Sequence, residues 1–592
     1  MTHPNVLRRR LLQAGVGAFV LGVPSWAQRA ALANTRTELG GSRFDLNLSL
    51  QPVNLTGRRR TATLVNGQLP APLLRWREGD TVTVRVTNRL RERSSIHWHG
   101  MIVPADMDGV PGLSFEGIAP GETFEYRFKV NQSGTYWYHS HSRFQEQTGL
   151  YGPIVIEPRN GQRFAADRDY VVLLSDWTDL DPERLFAKLK KHSGYFNRQR
   201  RTVGDLVADA AAHGWRETLA ERRMWGQMRM DPTDVADVSG YAYTFLTNGH
   251  APNDNWTASF SRGESVKLRF INGSSMSIFD VRIPGLKLRV VAHDGVDVEP
   301  VTVDEFRLGT AETCDVIVTP DDEHAYTIFA QSIDRTGYAR GTLAPRAGMT
   351  APVPPLDPRP LLTMQDMGMA HGGAHSHGAP SRPEHHMHDH ADHGAARGTH
   401  DPTSNLDHAS AEFGPTVDMT VDKVSTRLDD PGVGLRDNGR RVLTYADLRT
   451  IGGPIDAREP SREIKLHLTG HMERFIWSFD GKKFSEAPPI RLRHGERVRF
   501  TLVNDTMMTH PIHLHGTWSE LETPSGEFQV RKHTVVVHPA QQISYAVTAD
   551  ALGRWAYHCH LLYHMEAGMF REVSVTHHEP PRDEHSEHRH DS

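Results

Sequence analysis

The sequence predicts an all-β chain of three related β-sandwich domains, and two internal repeats together with one alternating hydrophobic pattern carry that prediction. The first repeat occurs three times: Gly79-Asp80-Thr81-Val82 leads to Asn88, Gly263-Glu264-Ser265-Val266 to Asn272, and Gly495-Glu496-Arg497-Val498 to Asn504, with the same Gly-to-Asn spacing each time. Self-similarity at fixed spacing outranks any local assignment. Within each copy apolar residues alternate with polar ones (Val82, Val84, Val86; Val266, Leu268, Phe270; Val498, Phe500, Leu502), the period of a half-buried strand closed by a polar turn. Each copy therefore marks one sandwich.

The second repeat joins only the first and last domains. Pro120 is followed by Gly134-Thr135-Tyr136-Trp137-Tyr138-His139-Ser140-His141, and Pro539, at the same spacing, by Gly553-Arg554-Trp555-Ala556-Tyr557-His558-Cys559-His560. The nearest equivalent in the middle domain, Tyr326-Thr327-Ile328-Phe329-Ala330, keeps strand character without a His or Cys. Metals are expected in the outer domains, with the middle one a spacer.

The elements follow in order. Residues 1–33 carry Arg8-Arg9-Arg10-Leu11-Leu12, an apolar run from Ala14 to Val23 and Ala31-Leu32-Ala33, the pattern of a cleaved targeting segment of twin-arginine type, which implies export to the periplasm. Domain 1 is placed at 42–160 and domain 2 at 165–340, with a helical or irregular insertion at about 185–230 signalled by Lys188-Leu189-Lys190-Lys191 and Leu206-Val207-Ala208-Asp209-Ala210-Ala211-Ala212. A His- and Met-rich linker is expected at 341–415, domain 3 at 416–576, and a His-rich tail at 577–592. The linker begins with Met364, Met367 and Met369 and carries His371, His375, His377, His385, His386, His388, His390 and His393, which suit loose copper capture.

Composition limits the function. A formal charge of −5 on 592 residues gives no basic excess for nucleic acid, and no stretch after the leader approaches the ~20 apolar residues of a membrane span. Two cysteines, Cys314 and Cys559, allow at most one disulfide, whereas 36 histidines demand a ligand reading. Cys314, in an alternating strand, reads as a small buried apolar residue. A soluble monomer is expected.

Four motifs supply that reading: His97-Trp98-His99, His139-Ser140-His141, His510-Pro511-Ile512-His513-Leu514-His515, and His558-Cys559-His560 with His564 and Met569. In a strand, residues i and i+2 face one side, so each His-x-His pair presents two imidazoles to one cavity. Cys559 then reaches a different metal from its neighbours. A blue copper site needs a thiolate, two imidazoles and a long axial thioether, the set of Cys559, His510, His564 and Met569. Zinc does not call for eight further paired imidazoles beside such a centre.

With these motifs the chain resembles the multicopper oxidases, over roughly 42–575, and within them the bacterial copper-resistance protein A family. The narrower likeness rests on Met224-Trp225-Gly226-Gln227-Met228-Arg229-Met230, Asp234-Val235-Ala236-Asp237-Val238-Ser239-Gly240-Tyr241 and Asn504-Asp505-Thr506-Met507-Met508-Thr509-His510. The resemblance implies cupredoxin-like Greek-key sandwiches and four copper ions. His510, Cys559, His564 and Met569 would hold type 1 copper, His97 and His513 type 2, and His99, His139, His141, His515, His558 and His560 the type 3 pair. Cys559 would pass electrons to the trinuclear cluster, where dioxygen is reduced to water. Asp108, in Asp106-Met107-Asp108-Gly109, matches the family's acid beside the cluster and implies proton delivery, although Asp-Gly also suits a plain turn. The positions where some relatives carry a second acid are Leu562 and Met565 here, with Glu566 one step away, leaving that role to another part of the chain.

Three functions fit the motifs to different degrees: oxidation of Cu(I) in copper resistance, a laccase-like oxidation of small phenols, and non-catalytic copper binding or storage. The axial Met goes with a less oxidising type 1 copper, which weighs against the hardest phenols. Met224, Met228 and Met230 are read as packing residues rather than Cu(I) ligands.

Overall fold

The computed structural model describes residues 37–369, 408 and 410–577, so the expected leader, the His371–His393 run and the tail beyond His577 lie outside the described residues. Three sandwiches follow one another. The first pairs a four-stranded with a five-stranded sheet, and the second and third each pair a six-stranded with a five-stranded sheet.

The threefold repeat occupies the same place in each. Thr81–Asn88 runs parallel to Arg43–Asn54 and antiparallel to Thr123–Lys129. Val266–Asn272 lies likewise between Arg168–Thr178 and Thr313–Val318, and Arg497–Asn504 between Arg462–His471 and Gln542–Thr548. The nine alternating apolar residues of these strands are fully buried, each worth about 1.5–3 kcal/mol of transfer free energy. The glycines that open the repeats, Gly79, Gly263 and Gly495, have φ of 92°, 82° and 81°, a region that side chains disfavour.

The closing asparagines are structural hubs. Nδ2 of Asn88 donates to the carbonyls of Glu92 and Ile118, that of Asn272 to Ser277 and Leu308, and that of Asn504 to Met508 and Val537. The second and third amides thus tie the loop leaving their strand to the opposite sheet, at Leu308 and Val537, and the first ties its loop to the Ile118 segment that bridges Ser94. In the outer domains that loop leads to His97 and to His510.

The insertion is helical, as Pro182–Lys191, Val203–His213 and Trp215–Met228. Asp181 caps the first through the Arg184 amide, and Thr202 and Asp205 form a capping box on the second. The linker begins later than expected. Strand Tyr338–Ala344 crosses its proposed start, and Leu362, Met364 and Met367 are buried because they are apolar enough to join the core shared by the second and third sandwiches. No helix among the described residues is long and apolar enough to cross a membrane.

The second sandwich does more than separate its neighbours. Lys532 of the third is fully buried between Asp294 and Glu312 of the second, at 2.9 and 2.8 Å. Asp294 also accepts the backbone N–H groups of His533 and Thr534. The two carboxylates compensate the buried lysine's charge, and the N–H groups satisfy the remaining demand of Asp294; the strand that Lys532 anchors borders the histidine cavity.

Candidate metal centres between the first and third sandwiches

Strand register decides which side chains meet. His97–His99 pairs antiparallel with Gly134–His139, setting His97 opposite His139. In the third sandwich His510–Leu514 pairs with Gly553–Cys559, setting Ile512 opposite Cys559 and His513 opposite His558. Residues three apart on a strand face opposite ways. His510 therefore joins Cys559 on one face, while His513 and His515 join His558 and His560 on the other.

Two centres result. At the first, Cys559 Sγ lies 3.5 Å from His510 Nδ1 and 3.8 Å from His564 Nδ1, and the two Nδ1 atoms are 3.2 Å apart. Thr506 Oγ1, at 2.7 Å, holds His510 Nε2, and Asp237, at 2.7 Å, holds His564 Nε2, so both rings turn Nδ1 toward the sulfur. Met569 is fully buried beside them, its carbonyl accepting the Cys559 N–H at 3.2 Å. Trp477 stacks on His564 with ring centroids 3.9 Å apart. Burial pushes the Cys559 thiol up, so only a bound cation would hold it as thiolate.

The second centre joins four histidines from each outer sandwich. Potential ligand atoms of His99, His139 and His560 lie within 4.8 Å of one another, as do those of His141, His515 and His558, and those of His97, His99 and His513. Two of these triplets draw only on the six histidines expected for the type 3 pair, and the third adds His99 to the expected type 2 pair, His97 and His513. Outer contacts select the inward nitrogen. Nδ1 of His97 donates to the Asp108 carbonyl at 2.8 Å, that of His513 to the His533 carbonyl, that of His558 to the Cys559 carbonyl at 3.0 Å, and that of His515 to Asp108 Oδ2 at 2.9 Å. His99 is reversed, its Nε2 engaged by Thr534 Oγ1 at 3.1 Å.

The donors fit a cluster of copper ions. His97 Nε2, His139 Nε2, His513 Nε2, His99 Nδ1 and both His560 nitrogens are buried without a hydrogen-bond partner, an arrangement that costs about 1–3 kcal/mol per polar group unless something binds there. Burial and neighbouring imidazoles hold His99, His139, His141, His513, His515 and His560 well below the ordinary imidazole range, in the neutral form that ligates.

Multicopper oxidase family models match residues 48–161, 168–347 and 457–579. The chain belongs to the multicopper oxidase family. The oxidase is 59% identical to the copper resistance protein A homolog of Pseudomonas syringae pv. tomato, covering 97% of this chain and 100% of that one. It is 58% identical to copper resistance protein A of Escherichia coli, over 97% and 99% of the two chains. Among solved structures, the multicopper oxidase Fet3p superposes with a TM-score of 0.62 at 18% identity, over 91% and 90% of the chains. The laccase of Botrytis aclada gives 0.61 at 20%, over 92% and 89%. Both share the fold.

Sequence reasoning missed three groups that grip the oxidase's ligands. Asp237 was visible only as part of a quoted stretch, with no charge partner nearby in sequence. Glu146, five residues past His141, lies 2.6 Å from His139 Nδ1 and is buried, its Oε1 without a hydrogen-bond partner. His533, between strands Phe528–Lys532 and Thr534–Val537, meets two of the expected ligands, its Nδ1 lying 3.2 Å from His99 Nε2 and its carbonyl accepting from His513 Nδ1. Glu566, weighed as a second acid, instead pairs with Arg143 at 2.7 Å. Met228 and Met230 are half-buried against the core, in keeping with packing, whereas Met224 is exposed and does not pack there; Met507 and Met508 are buried next to the His510 strand. Cys314 is fully buried.

Proposed function

We propose that this oxidase takes electrons one at a time from Cu(I) at the His510, Cys559, His564 and Met569 centre and delivers four of them to dioxygen at the eight-histidine cavity. Four Cu(I) and four protons convert one dioxygen into two waters and four Cu(II). Four bound copper ions, one of type 1, one of type 2 and two of type 3, would supply the one-electron redox steps. The chain's own contribution is continuity. Cys559 faces one centre while His558 and His560, its covalent neighbours, face the other.

Asp108 is the acid for proton supply. Its carbonyl and Oδ2 are engaged by His97 and His515, while Oδ1 has no hydrogen-bond partner and can hold a proton beside the cavity. The leader expected at 1–33 and the relatives named copper resistance protein A support a periplasmic role in copper resistance.

One observation carries the choice of donor. His564 is 0% exposed, stacked under Trp477 and closed at Nε2 by Asp237, itself 1% exposed. No phenol ring can lie against that imidazole, whereas a single ion needs only a small opening and a carboxylate. The test is oxygen uptake by copper-loaded protein given Cu(I) or a phenol, beside Cys559→Ser. Uptake driven far faster by Cu(I), and abolished in the variant, supports the proposal. Faster uptake with the phenol makes the enzyme laccase-like, and none with either donor leaves copper binding or storage.

A further inference from the structure

A second group of metal-ligating side chains lies outside both centres. His408 and Glu412, at the downstream end of the His-rich linker, meet His467 of strand Arg462–His471 and Asp505, which directly follows Asn504. All four potential ligand atoms lie within 4.8 Å of one another. We propose that His408, Glu412, His467 and Asp505 form a binding site for one borderline divalent cation, Cu(II) or Zn(II).

Geometry is the first argument. Nδ1 of His408 is 2.8 Å from Glu412 Oε2 and 3.9 Å from Asp505 Oδ2, while Nδ1 of His467 is 2.6 Å from Asp505 Oδ2 and 3.5 Å from Glu412 Oε2. Bonds of 2.0–2.1 Å to a tetrahedral ion place ligands about 3.3 Å apart, and the four separations bracket that value. Two imidazoles and two carboxylates suit Cu(II) and Zn(II), with Cu(II) the tighter of the two.

Hydrogen bonding is the second. Nε2 of His408 donates to the Val421 carbonyl at 3.1 Å, so in the neutral ring Nδ1 is a bare acceptor aimed at a carboxylate oxygen. Two acceptors at that range need a proton or a metal ion between them. The Val421 N–H binds Asp505 Oδ1 at 3.0 Å, turning Oδ2 toward the histidines. One residue's backbone thus orients a ligand on each side, as outer groups do in built metal sites.

Charge is the third. With neutral imidazoles the cluster holds two carboxylate charges, and Glu412 and Asp505 are buried, Asp505 at 0% exposure. A divalent cation neutralises them. Two protons on the imidazoles would do the same, and metal binding must displace them. Occupancy would pin the chain leaving the linker beside Thr506, whose hydroxyl holds the type 1 ligand His510.

The experiment takes copper-loaded full-length protein and removes the more weakly held copper with a chelator until only copper that resists it, the blue centre included, remains. That protein is titrated with Co(II), read as a difference spectrum whose visible bands distinguish four-coordinate N/O ligation from the six-coordinate binding of exposed histidines. The wild type should gain one four-coordinate equivalent, displaced by Zn(II) or Cu(II). His408→Ala and the isosteric Glu412→Gln should each weaken it about tenfold or more, with the blue absorption of the Cys559 centre retained as proof of folding. Loss in both variants supports the site. A wild type that shows no four-coordinate band, or a band that survives unchanged in either variant, overturns it and leaves a protonated ion-pair network.

Discussion

Asp237 accepts a hydrogen bond from His564 Nε2 at 2.7 Å, so a carboxylate of the second sandwich sets the ring of a proposed type 1 ligand in the third. A carboxylate on the outer nitrogen fixes the ring's orientation and raises its basicity. Asp237→Asn keeps the shape and removes the charge. The copper-loaded variant should keep its blue absorption, show a raised reduction potential and oxidise Cu(I) about tenfold more slowly. Potentiometry with oxygen-uptake rates checks this, and an unchanged potential would show that the carboxylate merely packs.

Glu146 does for His139 what Asp237 does for His564. Burial and the nearby Asp176 carboxylate raise its acid well above the usual range, so the proton it shares with His139 Nδ1 stays within the pair. Glu146→Gln should weaken copper at the eight-histidine cavity by about 10–100-fold while sparing the blue centre. Copper content after dialysis against a graded chelator, read beside the blue absorption, separates the two. Equal loss from both centres would point to general destabilisation.

Gly109 makes room for the Asp108 carbonyl to meet His97. Its φ is +85°, and a Cβ there would sit 1.8 Å from the Ile96 carbonyl oxygen. Backbone strain alone costs about 1–3 kcal/mol, and the clash cannot be relieved by turning a side chain. Gly109→Ala should lower the unfolding temperature and release copper first from the cavity, where His97 loses its anchor. A variant with unaltered melting and copper content would show that the turn yields freely.

The triple repeat was legible because a half-buried strand must alternate and a tight turn needs Gly, and both requirements leave marks in local sequence. His-x-His and His-Cys-His were legible because strand pleat converts spacing into facing direction. The groups that hold those ligands were not: Asp237, in the loop before Tyr243–Thr247, meets His564, on the short helix Leu562–Glu566, across two sandwiches, and Glu146 turns back on His139 through an irregular segment that no periodicity marks. The middle sandwich looked like a spacer because it lacks histidine motifs. Its contribution comes through single acids, Asp237 and Asp294, and an isolated Asp carries no pattern. Met364 and Met367 were misplaced in a linker because a Pro- and Gly-rich stretch hides how deeply a few apolar residues can dock.

His533 gives the metal-free protein a defined acid response. Burial pushes its imidazole down to about 4, against the opposing pull of Asp294, from an ordinary value of 6.5. Above pH 6.5 the ring is neutral both folded and unfolded, and pH has no effect through it. Below that, the unfolded chain binds a proton that the folded chain refuses, so stability falls with pH until the folded ring titrates near 4. His533→Gln cannot take up that proton. The difference in unfolding free energy between metal-free wild type and variant should be flat above pH 6.5 and move against the wild type by up to about 3 kcal/mol by pH 4. Denaturant unfolding of both proteins across that range measures it. A difference that stays constant with pH would mean that the folded ring titrates where the unfolded one does, the pull of Asp294 offsetting burial.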